Sequence, residues 1–317
     1  MKTRIISKFV CAIGVGLLFS TLVQGSEEKP YSFMVVADTA YKVPHDYVVY
    51  DELINKINAE APAFTIHLGD VFSGQTNCGS PNIERVKHDF GKYGHPVIYT
   101  PGDNEWADCH GLEAGGFDPI ERLANLRRLF FAEGRTLGQG QLTVERQKNA
   151  GMIENALWSK GGVLFATVHI VGSNNGLTKE GPEEGASEFT LRNQANVRWI
   201  KQAFKQATDQ NVKAIVLAYH ANMFAEPDDV DGFAEVRTLI GQLGEVFKKP
   251  VLLVHGDHHQ FIIDRPYLPR VQIGPGGNIT RLQTYGWPDA KAVKISVDTS
   301  TESVFSFQPI FVGTGFY

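Results

Sequence analysis

Residues 63–70 read AFTIHLGD, a short apolar run that ends in Gly69-Asp70. The same form appears in YSFMVVAD at residues 31–38 and in PVIYTPGD at residues 96–103. Apolar runs of this length, bounded by turn residues, are typical of buried strands. Between the first two runs, apolar residues recur at helical spacing over residues 47–59. Strands that alternate with helices in this way predict an α/β fold with a layered sheet.

The rest of the chain continues the same mixture of helices and strands. Helical patterns cover residues 119–133, 191–207 and 233–247, and strand patterns cover residues 214–219 and 251–254. A hairpin is predicted within residues 152–170, where Lys160-Gly161-Gly162 supplies the turn. Beyond Gln260 four strands are predicted, with the sequences FIID, RVQIG, AVKISVD and SVFSFQP. Without an internal repeat or linker, residues 26–317 are predicted to form a single domain.

Polar side chains directly follow five of the predicted strands. These are Asp38, Asp70 and Asp103 after the three quoted runs, His220 after residues 214–219, and the run HGDHH at residues 255–259. Each segment alone is compatible with an ordinary turn, since Asp and Gly favour turns. Because ligands gather at the carboxyl ends of strands in α/β sheets, we expect the five segments to meet in one site.

The side chains at these strand ends are of the types that bind divalent metal ions. Four carboxylates and two imidazoles are enough to hold two cations, and they come from Asp38, Asp70, Asp103, His220, Asp257 and His259. A two-metal centre activates water near neutral pH and clamps the attacking and leaving oxygens of a displacement at phosphorus. The excess of oxygen donors favours Mn, Fe, Mg or Ca, with Zn as an alternative.

In this order the motifs resemble those of the calcineurin-like metallophosphoesterases, a family that includes the purple acid phosphatases. The family pattern D-x…GD…GN-H-E…H…GH-x-H is similar to ADT, LGD, PGDNEW, AYH and HGDHH, over about residues 31–264. The segment PGDNEWADC resembles a bacterial secreted branch in particular. The resemblance implies a four-layer α/β/β/α sandwich, with two sheets face to face and helices outside. It also implies a metal-dependent hydrolysis of phosphate mono- or diesters.

The resemblance further assigns the metal ligands. Asp38, Asp70 and His259 would hold the first metal. Asp70, as the bridge, would hold the second metal together with Asp103, His220 and Asp257. A shift of register in the HGDHH run would instead place His255 or His258 on the metal.

Three ligand positions depart from the family pattern. Ala40 stands two residues after the first aspartate and cannot bind a metal, so Tyr41, His110 or water would have to complete the first site. Asp103 stands in the place of an asparagine, and Asp257 in the place of a histidine. These two carboxylates add negative charge and oxygen donors to the site.

A fourth departure concerns acid catalysis. Asn104 stands where the family has a histidine that assists the leaving group, and an amide cannot donate a proton as an acid. His110, His45 or His258 could supply the acid, or the substrate could carry a good leaving group. The predicted catalytic residues are Asp70, Asn104 and His110.

The first 25 residues have the order of a secretory signal peptide. Lys2, Arg4 and Lys8 precede an apolar run of 11 residues, and small residues follow before Ser26. An uncleaved anchor is the alternative, but the run is shorter than the roughly 18 residues that span a bilayer. We expect cleavage near Ser26, no stable membrane anchor, and a periplasmic or secreted protein.

Two cysteines, Cys78 and Cys109, lie outside the predicted signal peptide. In an oxidising compartment, two cysteines without other cysteine partners are expected to form a disulfide. This bond would join the loops after Asp70 and Asp103. Two unrelated thiols or a zinc pair are the alternatives.

Composition narrows the classes of partner. Hydrophobic residues make up 43% and charged residues 21%, as in ordinary globular proteins. Cleavage after residue 25 would move the net charge from −5 to about −8. An acidic chain without basic clusters is not expected to bind a nucleic-acid backbone. The expected partner is a small phosphate ester, and the sequence specifies no oligomeric state.

Two other functions fit the same side chains. One is a metal-binding protein without activity, which the presence of Ala40 and Asn104 would favour. The other is a metallohydrolase that acts on a non-phosphate ester.

Overall fold

The structure, a computed structural model, describes residues 29–131, 134–177, 186–225, 230–268 and 277–313. The predicted signal peptide and the predicted strand RVQIG lie outside these residues. Among the residues described, no helix is both long and apolar enough to cross a membrane.

The first sheet contains the three apolar runs that end in aspartate. Its strands are β1 (Tyr31–Val36), β2 (Thr65–His67), β3 (Pro96–Tyr99), β4 (Leu137–Gly138), β12 (Lys291–Val297) and β13 (Phe305–Phe311). Their spatial order is β13-β12-β1-β2-β3-β4. The strands β1, β2 and β3 run parallel, and the other three are antiparallel to their neighbours. The carboxyl ends of β1, β2 and β3 therefore lie along one edge.

The second sheet is also mixed. Its strands are β5 (Glu145–Gln147), β6 (Met152–Lys160), β7 (Val163–Thr167), β8 (Ala214–Ala218), β9 (Val251–His255), β10 (Ile262–Asp264) and β11 (Ile279–Gln283). Their spatial order is β10-β11-β9-β8-β7-β6-β5. The strands β7, β8, β9 and β11 run parallel. The predicted hairpin is confirmed, since β6 and β7 pair antiparallel.

Among the described residues, five α-helices of at least 8 residues accompany the sheets. They are α1 (Tyr47–Ala59), α2 (Ser80–Phe90), α3 (Pro119–Leu126), α4 (Ala186–Asp209) and α5 (Ala234–Phe247). The helix predicted over residues 119–133 is α-helical only to Leu126 and continues as a π-helical turn, Arg127–Phe131. Two 3-10 turns lie at Ala107–His110 and Lys148–Ala150. The sequence patterns did not predict α2 or β11.

Both faces of each sheet are covered, and alternate side chains of β1 show how. Phe33 and Val35 belong to the core between the two sheets, together with Phe165 of β7. Met34 and Val36 point the other way and pack with the helices α1, α2 and α3. The outer face of the second sheet packs with α4 and α5. The predicted four-layer α/β/β/α sandwich is confirmed.

Candidate metal centre

The predicted ligands meet where the parallel strands of the two sheets end. One group of ligand atoms within 4.8 Å of one another comes from Asp38, Asp70 and His220. A second such group comes from Asp103, His220 and Asp257. His220 belongs to both groups, so the two groups form one continuous cluster.

Hydrogen bonds between the two sheets hold this cluster together. The backbone N–H of Asp257, beyond β9, donates to both carboxylate oxygens of Asp38 at 3.1 and 3.3 Å. The ring nitrogen Nδ1 of His220 donates to the carbonyl oxygen of Leu68 at 2.7 Å. This second bond fixes the His220 ring and turns its other nitrogen, Nε2, toward the carboxylates of Asp70 and Asp103, as in many metal-binding histidines.

The free ring nitrogen of His220 is an unsatisfied polar atom inside the protein. Nε2 is buried and makes no hydrogen bond within the described parts of the chain. Asp103 Oδ1 lies 3.0 Å from it, and Asp70 Oδ1 lies 3.4 Å from it. A buried ring nitrogen that faces carboxylate oxygens fits a shared metal ion, because the cation would displace the ring proton and bind all of these atoms.

The charges of the cluster also favour a bound cation. Burial raises the pKa of the Asp70 carboxyl well above its usual range, His220 opposes the rise, and the carboxylates of Asp103, Glu105 and Asp38 add to it. Burial would lower the pKa of His220, but Asp70 and Asp103 raise it well above its usual value. Both directions favour protons bound within the cluster, and a divalent ion would supply the positive charge in their place.

Asp70 belongs to the first group, and its carboxylate oxygen Oδ1 lies 3.4 Å from Nε2 of His220, the residue that both groups share. Its Oδ1 accepts from the backbone N–H of Asn104 at 3.2 Å, and its Oδ2 accepts from the Asn104 side-chain amide at 2.7 Å. The backbone N–H of Asp70 donates to the buried carboxylate of Glu105 at 3.1 Å. Two hydrogen bonds from Asn104 therefore orient the Asp70 carboxylate, and Glu105 holds its backbone.

Tyr41 lies in the gap that Ala40 leaves beside the first group. Its hydroxyl donates to Asp70 Oδ2 at 3.0 Å and lies 3.4 Å from Asp38 Oδ1 and 3.2 Å from His259 Nε2. Burial, together with the Asp70 and Asp38 carboxylates, raises the pKa of Tyr41 well above its usual value, so the hydroxyl carries its proton. Of the two side chains considered for this gap, Tyr41 is the one in contact with the cluster.

His259 completes this side of the cluster. Its Nε2 lies 3.6 Å from Asp38 Oδ1, and its side chain is 28% exposed, so it borders solvent. Gly286 packs against both residues, because a Cβ there would lie 2.6 Å from Asp38 Cβ and from His259 Cδ2. The neighbouring Trp287 donates its backbone N–H to the Asp38 carbonyl at 2.8 Å. The sequence patterns gave no sign that residues 286–287 belong to the site.

A turn after β7 clamps the Asp103 carboxylate. The backbone N–H of Gly172 donates to Oδ1 at 3.1 Å, and the Ser173 hydroxyl donates to Oδ2 at 3.0 Å. A Cβ at Gly172 would lie 2.6 Å from Asp103 Oδ1, so the position requires glycine. The next three residues, 173–175, have φ of 49°, 54° and 57°, a left-handed run that turns the chain toward Asp103. Sequence reasoning missed this contact.

Four of the predicted ligand residues also have left-handed backbone. The φ angles are 54° for Asp38, 50° for Asp70, 79° for Asp257 and 57° for His259. Such a conformation costs of order 1–3 kcal/mol for a residue other than glycine, and it tends to occur at functional sites. Its concentration in one cluster supports a functional role for these loops.

The alternatives within the HGDHH run are distinguished by position. Asp257 places its carboxylate in the second ligand group. His255 is fully buried, its ring stacks on Tyr219, and burial lowers its pKa to about 3. The side chain of His258 is 48% exposed beside Asp257. Of the three alternatives Asp257, His255 and His258, Asp257 is therefore the one that reaches the cluster.

The three predicted catalytic residues differ in their exposure to solvent. Asp70 is buried and belongs to the first ligand group. Asn104 is buried, and its amide nitrogen contacts Asp70 and the carbonyl of Phe72, so it supports the Asp70 carboxylate. His110 is exposed, and its ring nitrogen Nδ1 bonds to the Ala107 carbonyl at 2.8 Å. His45, another candidate acid, is also exposed.

The predicted disulfide is present. Cys78 and Cys109 are bonded, with their Cα atoms 5.9 Å apart. Their sulfur atoms lie 3.5 and 3.6 Å from the carbonyl oxygen of Asn104. The disulfide therefore packs directly behind the loop that carries Asp103 and Asn104.

The chain was compared with known families, sequences and structures, and only the structures are similar to it. No protein-family model and no curated protein sequence matches the chain. Its structure is similar to a dimetal phosphatase from Danio rerio, at 11% identity and a TM-score of 0.55, over 89% of this chain and 99% of the other.

Two further solved structures have the same architecture. PhoD is 11% identical with a TM-score of 0.55, over 90% of this chain and 69% of PhoD. The purple acid phosphatase PPD1 from yellow lupin (Lupinus luteus) seeds is 11% identical with a TM-score of 0.52, over 89% of this chain. The chain spans about half, 54%, of the lupin protein. Likeness at this level of identity shows a shared fold.

Proposed function

We propose, from the calcineurin-like metallophosphoesterase fold of this chain, that its Asp/His cluster binds two divalent metal ions and hydrolyses phosphate mono- or diesters. One observation carries the proposal. The buried, unsatisfied Nε2 of His220 faces the carboxylates of Asp70 and Asp103 at the ends of parallel strands from both sheets.

The proposed ligands divide between two positions. The first metal position consists of Asp38, Asp70 and His259. The second metal position consists of Asp70, Asp103, His220 and Asp257. Asp70 is the proposed bridge, which is supported by its contacts with His220 on one side and Tyr41 on the other. Four carboxylates with two imidazoles favour Mn, Fe, Mg or Ca over a pair of zinc ions.

The protein side of the reaction follows from the contacts around these ligands. Two bound divalent ions would supply an activated water and neutralise charge on the phosphoryl group. Asn104 and Glu105 hold the Asp70 segment in place, and Ser173 and Gly172 prevent rotation of the Asp103 carboxylate. Such fixed ligands orient the reacting groups without further rearrangement.

We place the protein outside the cytoplasm. The disulfide between Cys78 and Cys109 supports an oxidising compartment. The proposed mature chain begins near Ser26 and acts in the periplasm or after secretion. Edman or mass-spectrometric sequencing of the native protein tests this, and an N-terminus that retains Met1 would refute it.

The activity is tested with the metal content known. The protein is stripped with a chelator, reloaded with Mn²⁺, and assayed on an aryl phosphate and on a bis-aryl phosphate. We expect turnover of at least one substrate by the reloaded protein and none by the stripped protein. Elemental analysis should give two metal ions per chain. Full metal loading without turnover of either substrate would refute the proposed function.

A metal-binding protein without activity is the second candidate. Asn104 favours it, because its amide supports Asp70 and cannot protonate a leaving group. The same assay separates the two candidates, since a binding protein would take up metal without turnover. An activity on carboxylic esters alone would favour the third function, a metallohydrolase for a non-phosphate ester.

A further inference from the structure

Next to Asp257, the side chains of Asn222 and His258 form a pair that the proposed metal ligands do not include. Asn222 is 8% exposed, and its backbone N–H donates to Asp257 Oδ2 at 2.7 Å. Its side-chain nitrogen Nδ2 lies 3.0 Å from Nδ1 of His258. The pair therefore borders the second metal position.

The orientation of the Asn222 amide is fixed by two donors. Its Oδ1 accepts from Arg281 Nη1 at 3.3 Å and from the backbone N–H of Phe224 at 3.2 Å. Arg281 is itself 7% exposed and held by the carboxylate of Asp264, with its Nε 2.8 Å from Oδ1. Because the amide oxygen already faces these donors, the nitrogen must be the atom that faces His258.

The amide orientation determines the tautomer of His258. An amide nitrogen can only donate, so Nδ1 of His258 must accept, and the proton of the neutral ring lies on Nε2. Nε2 is 3.8 Å from Asp257 Oδ2, which is too far for a hydrogen bond. Within the described residues this N–H has no hydrogen-bond partner, and the side chain is 48% exposed. An oriented donor thus faces solvent at the edge of the cluster.

The site needs such a donor. Carboxylates dominate the cluster and can only accept hydrogen bonds, whereas the oxygens of a phosphoryl group require donors. The Tyr41 hydroxyl and the Asn104 amide both donate to Asp70, and Arg281 is bound by Asp264. None of these three is oriented toward solvent in the way that His258 is.

We propose that the Nε2–H of His258 binds a non-bridging oxygen of the phosphoryl group, and that Asn222 is the positioning residue that sets its tautomer. The role of His258 rests on the proposed function, because it requires a phosphate at the second metal position. It makes His258 a binding residue for substrate and product, in addition to the metal ligands.

The first test measures inorganic phosphate binding by calorimetry, with the protein loaded with Mn²⁺. His258→Ala should weaken phosphate binding by about 10- to 100-fold, as expected for a hydrogen bond to a charged group. His258→Gln, which keeps an N–H donor, should recover most of the affinity. His88→Ala, at an exposed histidine of α2, serves as the matched control and should bind like wild type. Metal content, measured by elemental analysis, should be the same in all four proteins.

The second test observes the tautomer directly and needs no metal. Long-range ¹H–¹⁵N spectra of the metal-free protein should show a proton on Nε2 of His258 and an unprotonated Nδ1. In Asn222→Ala the preference should be lost. A proton on Nδ1 in the wild-type protein would overturn the proposed arrangement.

The outcomes separate this role from the proposed function. Turnover by wild type, combined with equal phosphate affinity in wild type and His258→Ala, would overturn the role of His258 and leave the function intact. Weaker phosphate binding by His258→Ala in a protein without turnover would support the role and refute the function. Absence of phosphate binding by the Mn²⁺-loaded wild type would overturn the role.

Discussion

The two proposed metal positions are built in different ways. At the second position, Asp103 and His220 are buried, and hydrogen bonds from Gly172 and Ser173 and to the Leu68 carbonyl fix their side chains. At the first position, His259 borders solvent and contacts Asp38 only at 3.6 Å. The Tyr41 hydroxyl is the contact that joins the first-position ligands to one another.

The difference shows how a ligand set can tolerate substitution. Asp103 brings a negative charge where the family pattern has a neutral amide, and Gly172 and Ser173 donate hydrogen bonds to it. Ala40 removes a ligand, and the hydroxyl of the next residue lies in its place. In both cases the group that contacts the altered position is a residue that the family pattern does not include, namely Ser173 with Gly172 or Tyr41. We therefore expect the second position to bind its metal more tightly than the first, since its ligands lose less freedom on binding.

The largest expected effect is on the carboxylate that both positions share. Asp70→Asn should lower metal content at both positions and reduce turnover by about 10³-fold, because bound metals supply several kcal/mol of barrier reduction. Elemental analysis and aryl phosphate hydrolysis measure the two effects. Asp209→Asn, at an exposed residue of α4, is the control. Loss of only one metal would show that Asp70 does not bridge.

The next effect concerns the disulfide behind the loop of Asp103. Replacing Cys78 and Cys109 together by serine should reduce the free energy of unfolding by about 3.5 kcal/mol, since the bond closes a loop of 31 residues. Urea denaturation of the metal-free proteins measures the change. Reduction of the wild type should give a similar loss. A change below about 1 kcal/mol would contradict the expected contribution.

A smaller effect is expected from a substitution that weakens only the first metal position. Tyr41→Phe removes the hydroxyl that contacts Asp38, Asp70 and His259. The weaker metal should then dissociate about 10- to 100-fold more readily, as after loss of other groups that orient ligands. Titration with a competing chelator should show two affinities, of which only the weaker changes. Equal weakening of both would show that the positions are not independent.

The smallest effect is expected from a substitution that weakens only the second metal position. Ser173→Ala removes one of the two hydrogen bonds to the Asp103 carboxylate. The tighter metal affinity should fall by about 10-fold, because Gly172 still holds the other oxygen. Ser159→Ala, at an exposed position of β6, is the matched control in the same chelator titration. If the weaker affinity changes instead, the assignment of the two positions is reversed.

The sequence predicted those parts of the fold that depend on local patterns. The apolar runs before Asp38, Asp70 and Asp103 are strands, and they end at one edge as expected. The strand β11 was missed because Thr280, Arg281 and Gln283 interrupt its apolar pattern. In the structure an ion pair with Asp264 accommodates the buried Arg281. The helix α2 carried a readable signal in Ile83, Val86 and Phe90, which are buried at helical spacing.

Of the candidate site, the sequence predicted only that Asp38, Asp70, Asp103, His220 and Asp257 lie close together. Ser173 lies 70 residues from Asp103 in the chain, and their contact exists because β7 and β3 belong to sheets that pack face to face. Gly286 and Trp287 reach Asp38 by the same packing of distant segments. Turn-forming residues of this kind carry no local sign of a partner. Their identification requires the arrangement of the two sheets.

The left-handed backbone at Asp38, Asp70, Asp257 and His259 lowers the stability of the fold at the positions that are proposed to bind metal. Glycine, and to a lesser degree asparagine, adopts this conformation at a lower cost in free energy. The backbone at each of these positions would therefore be less strained with a residue that binds metal poorly or not at all. A library of the metal-free protein, screened only for thermal resistance, should therefore enrich glycine and asparagine at these positions. Retention of aspartate and histidine there would mark selection for function.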